Sequence, residues 1–227
     1  DCLIGNNSMQ NWLTPSSSAI LLPTKESLLL KALDFNLETH WKSKKPLTFK
    51  WKVAIQRNTE ELNLLQKILA RLPLNARLRL DANGGWNRSQ ANEWSQQLHD
   101  DPRLEWFEQP LPPEDIQGMT ELAKRTPIAL DESLIYKPSL RETWQSWQIR
   151  RPALEGDPRD LLRRPARNNN FLVFSTAFET GIGFRWVKHL AALQQQSAQP
   201  IQPGLAPGWC PKNQLFSDDP NMVWKAA

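Results

Sequence analysis

The chain alternates short apolar runs with stretches of helical periodicity, and no other feature limits its possible folds as strongly. Each apolar run has the length of a strand, and each stretch between two runs has the length of a helix. Strands and helices that alternate at this spacing form parallel sheets with crossover helices. Seven or eight such units within 227 residues predict an α/β protein with a TIM-like (β/α) barrel rather than an open sheet.

The same pattern predicts where the elements and the domain lie. The predicted strands are 18–22, 48–55, 77–80, 104–107, 127–130, 148–151 and 171–174. The predicted helices are 25–33, 59–72, 89–99, 113–124, 158–167 and 182–195, with a short, proline-interrupted helix after Ser133. Asn58, Asn87 and Asp157 stand where N-terminal helix signals are expected. Residues 1–16 show no clear period, so we expect a linker or domain remnant there and a barrel domain over 17–227.

The composition is that of a globular protein and excludes several classes. Hydrophobic residues make up 40% of the chain and charged residues 23%, which is enough apolar surface for a core. The net charge of +4 is mild and no long run of like charge occurs, so nucleic acid is not an expected partner. No apolar run approaches the about 18 residues of a membrane span. Two cysteines match no zinc or redox pattern, which favours a reducing, cytoplasmic setting.

Three carboxylates stand at the ends of successive predicted strands. Asp81, Glu108 and Asp131 each follow an apolar strand, and active sites of barrels are built at this C-terminal edge. Unpaired carboxylates that converge there would repel one another, and a divalent cation removes that cost. Ligands that are all oxygen favour Mg²⁺. The alternative is that each carboxylate caps a helix or pairs with a nearby Arg or Lys.

Two lysines lie on one face of the preceding strand. Lys50 and Lys52 are two residues apart, whereas Phe49, Trp51 and Val53 share the other face. Because the apolar face must meet the helices, both lysines are predicted to point into the barrel. Lys52 is nearer the C-terminal edge and is the candidate base, with Lys50 beside it. Two solvated lysines on an edge strand are the alternative.

Strand parity also separates two neighbouring arginines. Arg151 shares a face with Ile149, whereas Arg150 shares the other face with Gln148. We therefore place Arg151 in the site and Arg150 outside it. An ordinary surface pair of arginines is the alternative.

Four short motifs in order resemble a known family. They are Lys-x-Lys at Lys50, Asp-Ala-Asn-x-x-Trp at Asp81, Phe-Glu-Gln-Pro-Leu at Phe107 and Ala-Leu-Asp-Glu-Ser at Ala129. Together they resemble the enolase superfamily, and within it the o-succinylbenzoate synthases, over residues 16–207. The resemblance implies a muconate-lactonizing-enzyme-like (β/α)7β barrel, Mg²⁺ held by Asp81, Glu108 and Asp131, and Lys52 as base. The implied reaction is dehydration to 2-succinylbenzoate in menaquinone or phylloquinone biosynthesis.

The resemblance extends to further residues. The turn at 174–183 is similar to the family turn that receives a substrate carboxylate, which implies that Ser175, Thr176, Thr180 and Gly181 bind substrate; a plain strand-to-helix turn is the alternative. Helix N-termini present free N–H groups to anions. Asn83 and Gln109 are expected to orient the metal ligands without binding the metal themselves.

Two departures from the family pattern bear on function. The family usually carries a lysine where this chain has Arg151, and an arginine cannot exchange a proton near neutral pH. The N-terminal α+β capping domain of the family is largely absent from this chain, so we expect a truncated or partially observed protein.

These observations favour an Mg²⁺-dependent dehydratase that acts on a small-molecule substrate. A racemase or cycloisomerase of the same superfamily is one alternative. A catalytically impaired fragment that acts only as a binding or structural barrel is another. The oligomeric state cannot be predicted from the residues.

Overall fold

The computed structural model of the chain describes residues 12–40, 46–157, 161, 171–197 and 200–227. It divides into two compact units. One is Ile20–Gln148, and the other combines Asp1–Ala19 with Ile149–Ala227.

The described strands form a parallel sheet in which each strand follows its sequence neighbour. They are β1 (Ile20–Leu21), β2 (Thr48–Lys52), β3 (Arg77–Asp81), β4 (Leu104–Glu108), β5 (Ile128–Leu130), β6 (Trp147–Arg150) and β7 (Leu172–Phe174). Their order is β1-β2-β3-β4-β5-β6-β7, and the registered pairs from β1 to β6 are all parallel. The predicted strand–helix alternation is confirmed, and this order is the topology of a (β/α) barrel.

Helices connect the strands. They are α1 (Glu26–His40), α2 (Asn58–Leu69), α3 (Arg88–Leu98), α4 (Ile116–Leu122), α5 (Glu132–Tyr136), α6 (Leu140–Thr143), α7 (Pro152–Glu155), α8 (Gly181–Gln195) and α9 (Pro220–Ala226). The predicted helix 158–167 and the signal at Asp157–Pro158 fall almost wholly outside the described residues. No described helix is long and apolar enough to cross a membrane.

Several predicted boundaries are wrong. The helix predicted at 25–33 continues to His40, and the helix predicted at 113–124 spans only Ile116–Leu122. The strand predicted at 48–55 ends at Lys52, because Ala54 turns the chain with a φ of 61°. Helix α2 begins at Asn58 after Arg57, so Asn58 is not the residue before the helix. Its side chain instead accepts a hydrogen bond from Trp94 Nε1. Asn87 caps α3 in a capping box, as predicted.

The core of the Ile20–Gln148 unit separates the two faces of β2. Phe49 and Trp51 are buried, and the Trp51 ring lies 6.0 Å from that of Trp94 in α3. Lys50 and Lys52 on the opposite face keep partial exposure. This parity carries both lysines to the side of the sheet that the carboxylates share.

The other unit joins distant parts of the chain by hydrogen bonds. Gly204 pairs with Ser175, while the Ala19 N–H donates to the Pro203 carbonyl at 2.9 Å. Residues 203–204, where the sequence pattern predicts no strand, thus bond both to the residue that follows β7 and to the segment that ends at Ala19.

Candidate active site

Three buried carboxylates stand at the ends of adjacent strands in the Ile20–Gln148 unit. Asp81 ends β3, Glu108 ends β4 and Asp131 follows β5. Their exposed fractions are 0%, 1% and 2%. Asp81 is in register with Glu108 on one side and with Lys52 on the other. The apolar runs therefore bring the predicted acidic residues to one edge of the sheet.

The Lys50 ammonium bridges two of these carboxylates. Its Nζ lies 2.8 Å from Asp81 Oδ2 and 2.7 Å from Glu108 Oε1. Burial by itself would lower the pKa of Lys50, but Glu108 and Asp81 outweigh it and raise the pKa above its usual value. Burial opposes ionisation of Asp81 as well, yet Lys50 and Lys52 lower its pKa. Lys50 is thus a charged partner of buried acids.

The raised pKa of Glu108 shows that the carboxylates of the site repel one another. Burial and repulsion from Asp81 raise its pKa to about 7, Asp131 adds to the repulsion, and Lys50 opposes both. The carboxylates are therefore close enough to act on one another, and one cation does not fully compensate them.

The donor set fits a divalent metal in its chemistry, since all three side chains offer oxygen. Among the residues that the structure describes, no group of three or more acidic, histidine or cysteine side chains is arranged to hold a metal ion as it stands. In this arrangement the Lys50 ammonium lies between Asp81 and Glu108 and balances their charge.

Lys52 lies at the more exposed end of the site. Its Nζ donates to Asp81 Oδ2 at 3.1 Å and to Asn83 Oδ1 at 2.6 Å. Asn83 has a φ of 45°, and its backbone N–H donates to Asp81 Oδ1 at 3.1 Å. The predicted base and the predicted supporting residue are therefore in direct contact.

The Asn83 side chain leads to a residue that the sequence patterns did not single out. Asn83 Nδ2 donates to Glu132 Oε1 at 2.9 Å. Burial and the adjacent Asp131 raise the pKa of Glu132. Glu132 belongs to the same Ala-Leu-Asp-Glu-Ser motif as Asp131, and this adjacency was the signal that could have found it.

Gln109 connects β4 to the segment that carries Asp131. Its Oε1 accepts from the backbone N–H groups of Asp131 and Ser133 at 3.1 and 3.0 Å. Its Nε2 donates to Ser133 Oγ at 2.8 Å. The side chain is fully buried, so it fixes the backbone at Asp131 rather than the carboxylate itself.

The predicted arginine, Arg151, lies in the other compact unit. Arg151 follows β6, and its Nη1 donates to the Thr176 carbonyl at 2.6 Å. Arg150 is buried and pairs through two nitrogens with Glu155. Arg151 thus contacts the predicted substrate-binding turn, whereas Arg150 forms an ion pair with Glu155 of α7.

The turn after β7 satisfies several of its own backbone donors. Glu179 Oε2 accepts from the Ala177 N–H at 2.7 Å, and Thr176 Oγ1 accepts from the Phe178 N–H at 2.8 Å. Ser175 Oγ donates to the Gly204 carbonyl. Thr180 precedes α8 without a side-chain capping bond. Any anion at this turn would therefore depend on donors later in the segment, at the start of α8.

Gly181 begins α8 where a side chain has no room. A Cβ at this position would overlap the Ser217 carbonyl oxygen. The glycine therefore permits a close backbone contact between α8 and the C-terminal segment.

Comparison with known proteins identifies the family. The family model described as Enolase C-terminal domain-like matches residues 38–146. The solved o-succinylbenzoate synthase of Thermosynechococcus elongatus BP-1, described as complexed with Mg in the active site, is 30% identical with a TM-score of 0.73. The match covers 96% of this chain and 70% of that one. This chain belongs to the enolase C-terminal domain-like family.

Two further matches cover less of the related protein's own length. A curated o-succinylbenzoate synthase of Thermosynechococcus vestitus (strain NIES-2133 / IAM M-273 / BP-1) is 41% identical over 153 residues, which are 63% of this chain and 48% of the relative. The chain thus spans about half the length of that curated relative. The muconate lactonizing enzyme of Pseudomonas putida is 22% identical, with a TM-score of 0.68 over 88% of this chain and 57% of its own, which supports the fold alone.

A second residue of this enolase-like chain was missed by the sequence patterns. The carboxylate of Glu61, in the first turn of α2, accepts three backbone N–H groups, from Ala54, Ile55 and Gln56 at 2.8–3.0 Å. The side chain is buried. Glu61 therefore holds the loop that directly follows the Lys52 strand, and an acidic residue at a helix start was its signal in the sequence.

Proposed function

We propose that this chain carries the catalytic residues of an o-succinylbenzoate synthase. The proposed reaction is loss of water from a hydroxycyclohexadiene carboxylate that bears a succinyl chain, giving 2-succinylbenzoate. The observation that carries the proposal is the contact of Lys52 with both Asp81 and Asn83 beside three buried strand-end carboxylates. Similarity to o-succinylbenzoate synthase of Thermosynechococcus strain BP-1, in sequence and in structure, supports this reaction over others of the family.

Asp81, Glu108 and Asp131 would hold an Mg²⁺ ion. When bound, the ion supplies positive charge that stabilises an enolate as it forms next to a carboxylate. The related synthase whose structure is described as containing Mg supports this choice of metal.

Lys52 moves the proton in this proposal. Its neutral amine removes the proton next to the substrate carboxylate, and the electron pair of that C–H bond forms the enolate. When the enolate collapses, the C–O bond breaks and the Lys52 ammonium returns the proton to the departing hydroxyl, which leaves as water. One base on one face is sufficient for this syn elimination. Asp81 and Asn83 would orient the lysine throughout, and Lys50 would balance the buried acids.

In this proposal Arg151 is a fixed cation that stabilises the enolate. It cannot exchange a proton near neutral pH. The proposal therefore favours a one-base dehydration over a two-base racemisation. A place in menaquinone or phylloquinone synthesis, a small-molecule partner and a cytoplasmic location belong to the same proposal.

A turnover assay tests the function directly. The purified chain is mixed with the succinyl-bearing substrate and Mg²⁺, and formation of the aromatic product is followed by absorbance. We expect turnover that EDTA removes and Mg²⁺ restores. Lys52→Ala should abolish it, whereas Lys225→Ala, at an exposed position of α9, should not. Turnover by Lys52→Ala at a near-normal rate would contradict the proposal, as would racemisation of N-acylamino acids by the unmodified chain.

A further inference from the structure

We propose that Glu132 is a positioning residue for Lys52 and that it acts through the side-chain amide of Asn83. The inference rests on the proposed function in taking Lys52 as the base. Three observations carry it: the orientation of the Asn83 amide, the constrained backbone of Asn83 and the surroundings of the Glu132 carboxylate.

The two partners of Asn83 fix which end of its amide faces which neighbour. The Lys52 ammonium can only donate, so the atom 2.6 Å away must be the Asn83 carbonyl oxygen. The Asn83 NH₂ group then faces Glu132 Oε1 at 2.9 Å. Without an acceptor on that side, the amide loses the contact that keeps its oxygen toward Lys52. Rotation by half a turn would bring an N–H donor against an ammonium, which is a repulsive pair.

The backbone fixes the point from which the Asn83 side chain extends, although the residue itself is exposed. Its φ of 45° lies in the left-handed region, which asparagine tolerates better than most residues. Its N–H is already bonded to Asp81 Oδ1. The amide therefore projects from a fixed point between Asp81, Lys52 and Glu132.

The Glu132 carboxylate has the character of a dedicated acceptor. Oε1 accepts from the Asn83 amide, whereas Oε2 is buried and has no hydrogen-bond partner among the described residues. No ion pair between Glu132 and a described lysine or arginine lies within 4.0 Å. Glu132 is half-buried, and a carboxylate oxygen that is withdrawn from water without a cation is costly. The hydrogen bond from Asn83 is the described contact that offsets part of this cost.

The experiment compares variants that keep or remove the acceptor oxygen. Glu132→Gln retains an oxygen at the end of the side chain, and Glu132→Leu removes it at similar size. Glu114→Leu, at an exposed position between β4 and α4, is the matched control. Lys52 is labelled with acetic anhydride in metal-free protein, and mass spectrometry gives its rate relative to Lys225. Values of kcat and KM are measured for the same proteins with the succinyl-bearing substrate and Mg²⁺.

We expect Glu132→Leu to raise the relative labelling rate of Lys52 about threefold or more and to lower kcat about tenfold, while KM stays within about twofold. Glu132→Gln should rescue both readouts, and Glu114→Leu should leave both unchanged. In an Asn83→Ala background, Glu132→Leu should have no additional effect on labelling, because the residue between them is gone. Because the same substitution is compared with and without Asn83, the comparison tests the proposal even if Glu132→Leu lowers the stability of the protein.

Unchanged labelling and kcat in Glu132→Leu would overturn the inference. Equal damage by Glu132→Gln and Glu132→Leu would also overturn it, because charge rather than an acceptor oxygen would then be responsible. Labelling requires no turnover. If the dehydratase proposal is wrong, every variant lacks activity while the labelling difference persists, so the two failures are distinguishable.

Discussion

The Lys50 ammonium lies 2.7 Å from the carboxylate of Glu108, and both side chains are largely withdrawn from solvent. Burial and repulsion from Asp81 raise the pKa of Glu108 to about 7 despite this cation. Glu108 is therefore partly protonated near neutral pH, and any metal ion that it helps to bind must displace a proton.

Binding of Mg²⁺ should tighten as pH rises from about 6 to about 8, because the Glu108 proton no longer competes. Titration calorimetry in buffers of different ionisation enthalpy should show proton release near pH 7. Glu108→Gln should weaken binding and remove the proton release. An Mg²⁺ affinity that is constant across this range would contradict the assignment of Glu108.

Protonation of Glu108 should also make the free energy of unfolding of the metal-free protein depend on pH. The pKa of Glu108 rises from its usual 4.5 to about 7 on folding, so the folded chain holds more protons between these values than the unfolded chain. By linkage, the contribution of Glu108 to the free energy of unfolding is complete below about pH 4.5 and is lost as pH rises through about 7. Denaturant unfolding of Glu108→Gln should lack this component.

Lys50→Met should destabilise the metal-free protein by about 3–5 kcal/mol, because Asp81 and Glu108 would lose their buried partner. Chemical denaturation measures the loss. Lys67→Met, which breaks a solvent-exposed pair with Glu26, should cost about 1 kcal/mol or less. Saturating Mg²⁺ should recover part of the Lys50→Met deficit. Equal losses for the two variants would show that Lys50 is not a charge-balancing residue.

Glu61→Leu should lower the free energy of unfolding by about 1–3 kcal/mol or more, since three backbone N–H groups lose their acceptor. It should also lower turnover, because the affected loop begins two residues after Lys52. Glu60→Leu is the control, as this neighbour is exposed and pairs loosely with Arg57 at 3.8 Å. Denaturant melts and kcat are the measurements. A Glu61→Leu protein as stable as the Glu60→Leu protein would refute the loop-anchoring role.

Arg151→Lys should keep dehydration within about tenfold, roughly 1.4 kcal/mol in activation free energy, because the positive charge is retained. Arg151→Met should cost more, since that charge is lost. Steady-state rates with the succinyl-bearing substrate compare the two variants. The reverse order of rates would remove Arg151 from the site. Arg151→Lys should also be tested for a trace of racemisation, which a lysine permits and an arginine does not.

The sequence predicted the elements that depend on apolar periodicity and missed contacts made across turns. Asp81, Glu108 and Asp131 were found because each directly follows a buried strand. Strand β2 was extended too far because Val53 and Ile55 continue its alternation, whereas the left-handed turn at Ala54 is a property of the backbone.

The partners of Glu61 and Glu132 depend on such turns, at Ala54 and Asn83, and could not be read from spacing. Asn58 shows the same limit in another form. Its partner Trp94 is 36 residues away, so a local helix-capping rule could not anticipate the contact.

The close approach of Gly181 to the Ser217 carbonyl has a consequence for engineering the chain. A methyl group at position 181 fits only if the C-terminal segment that contains Ser217 moves away from α8. Any substitution at position 181 therefore also changes how the last dozen residues pack against α8. Conversely, a shortened chain that ends before residue 216 should accept alanine at 181, because both residues that a Cβ would approach there are then absent.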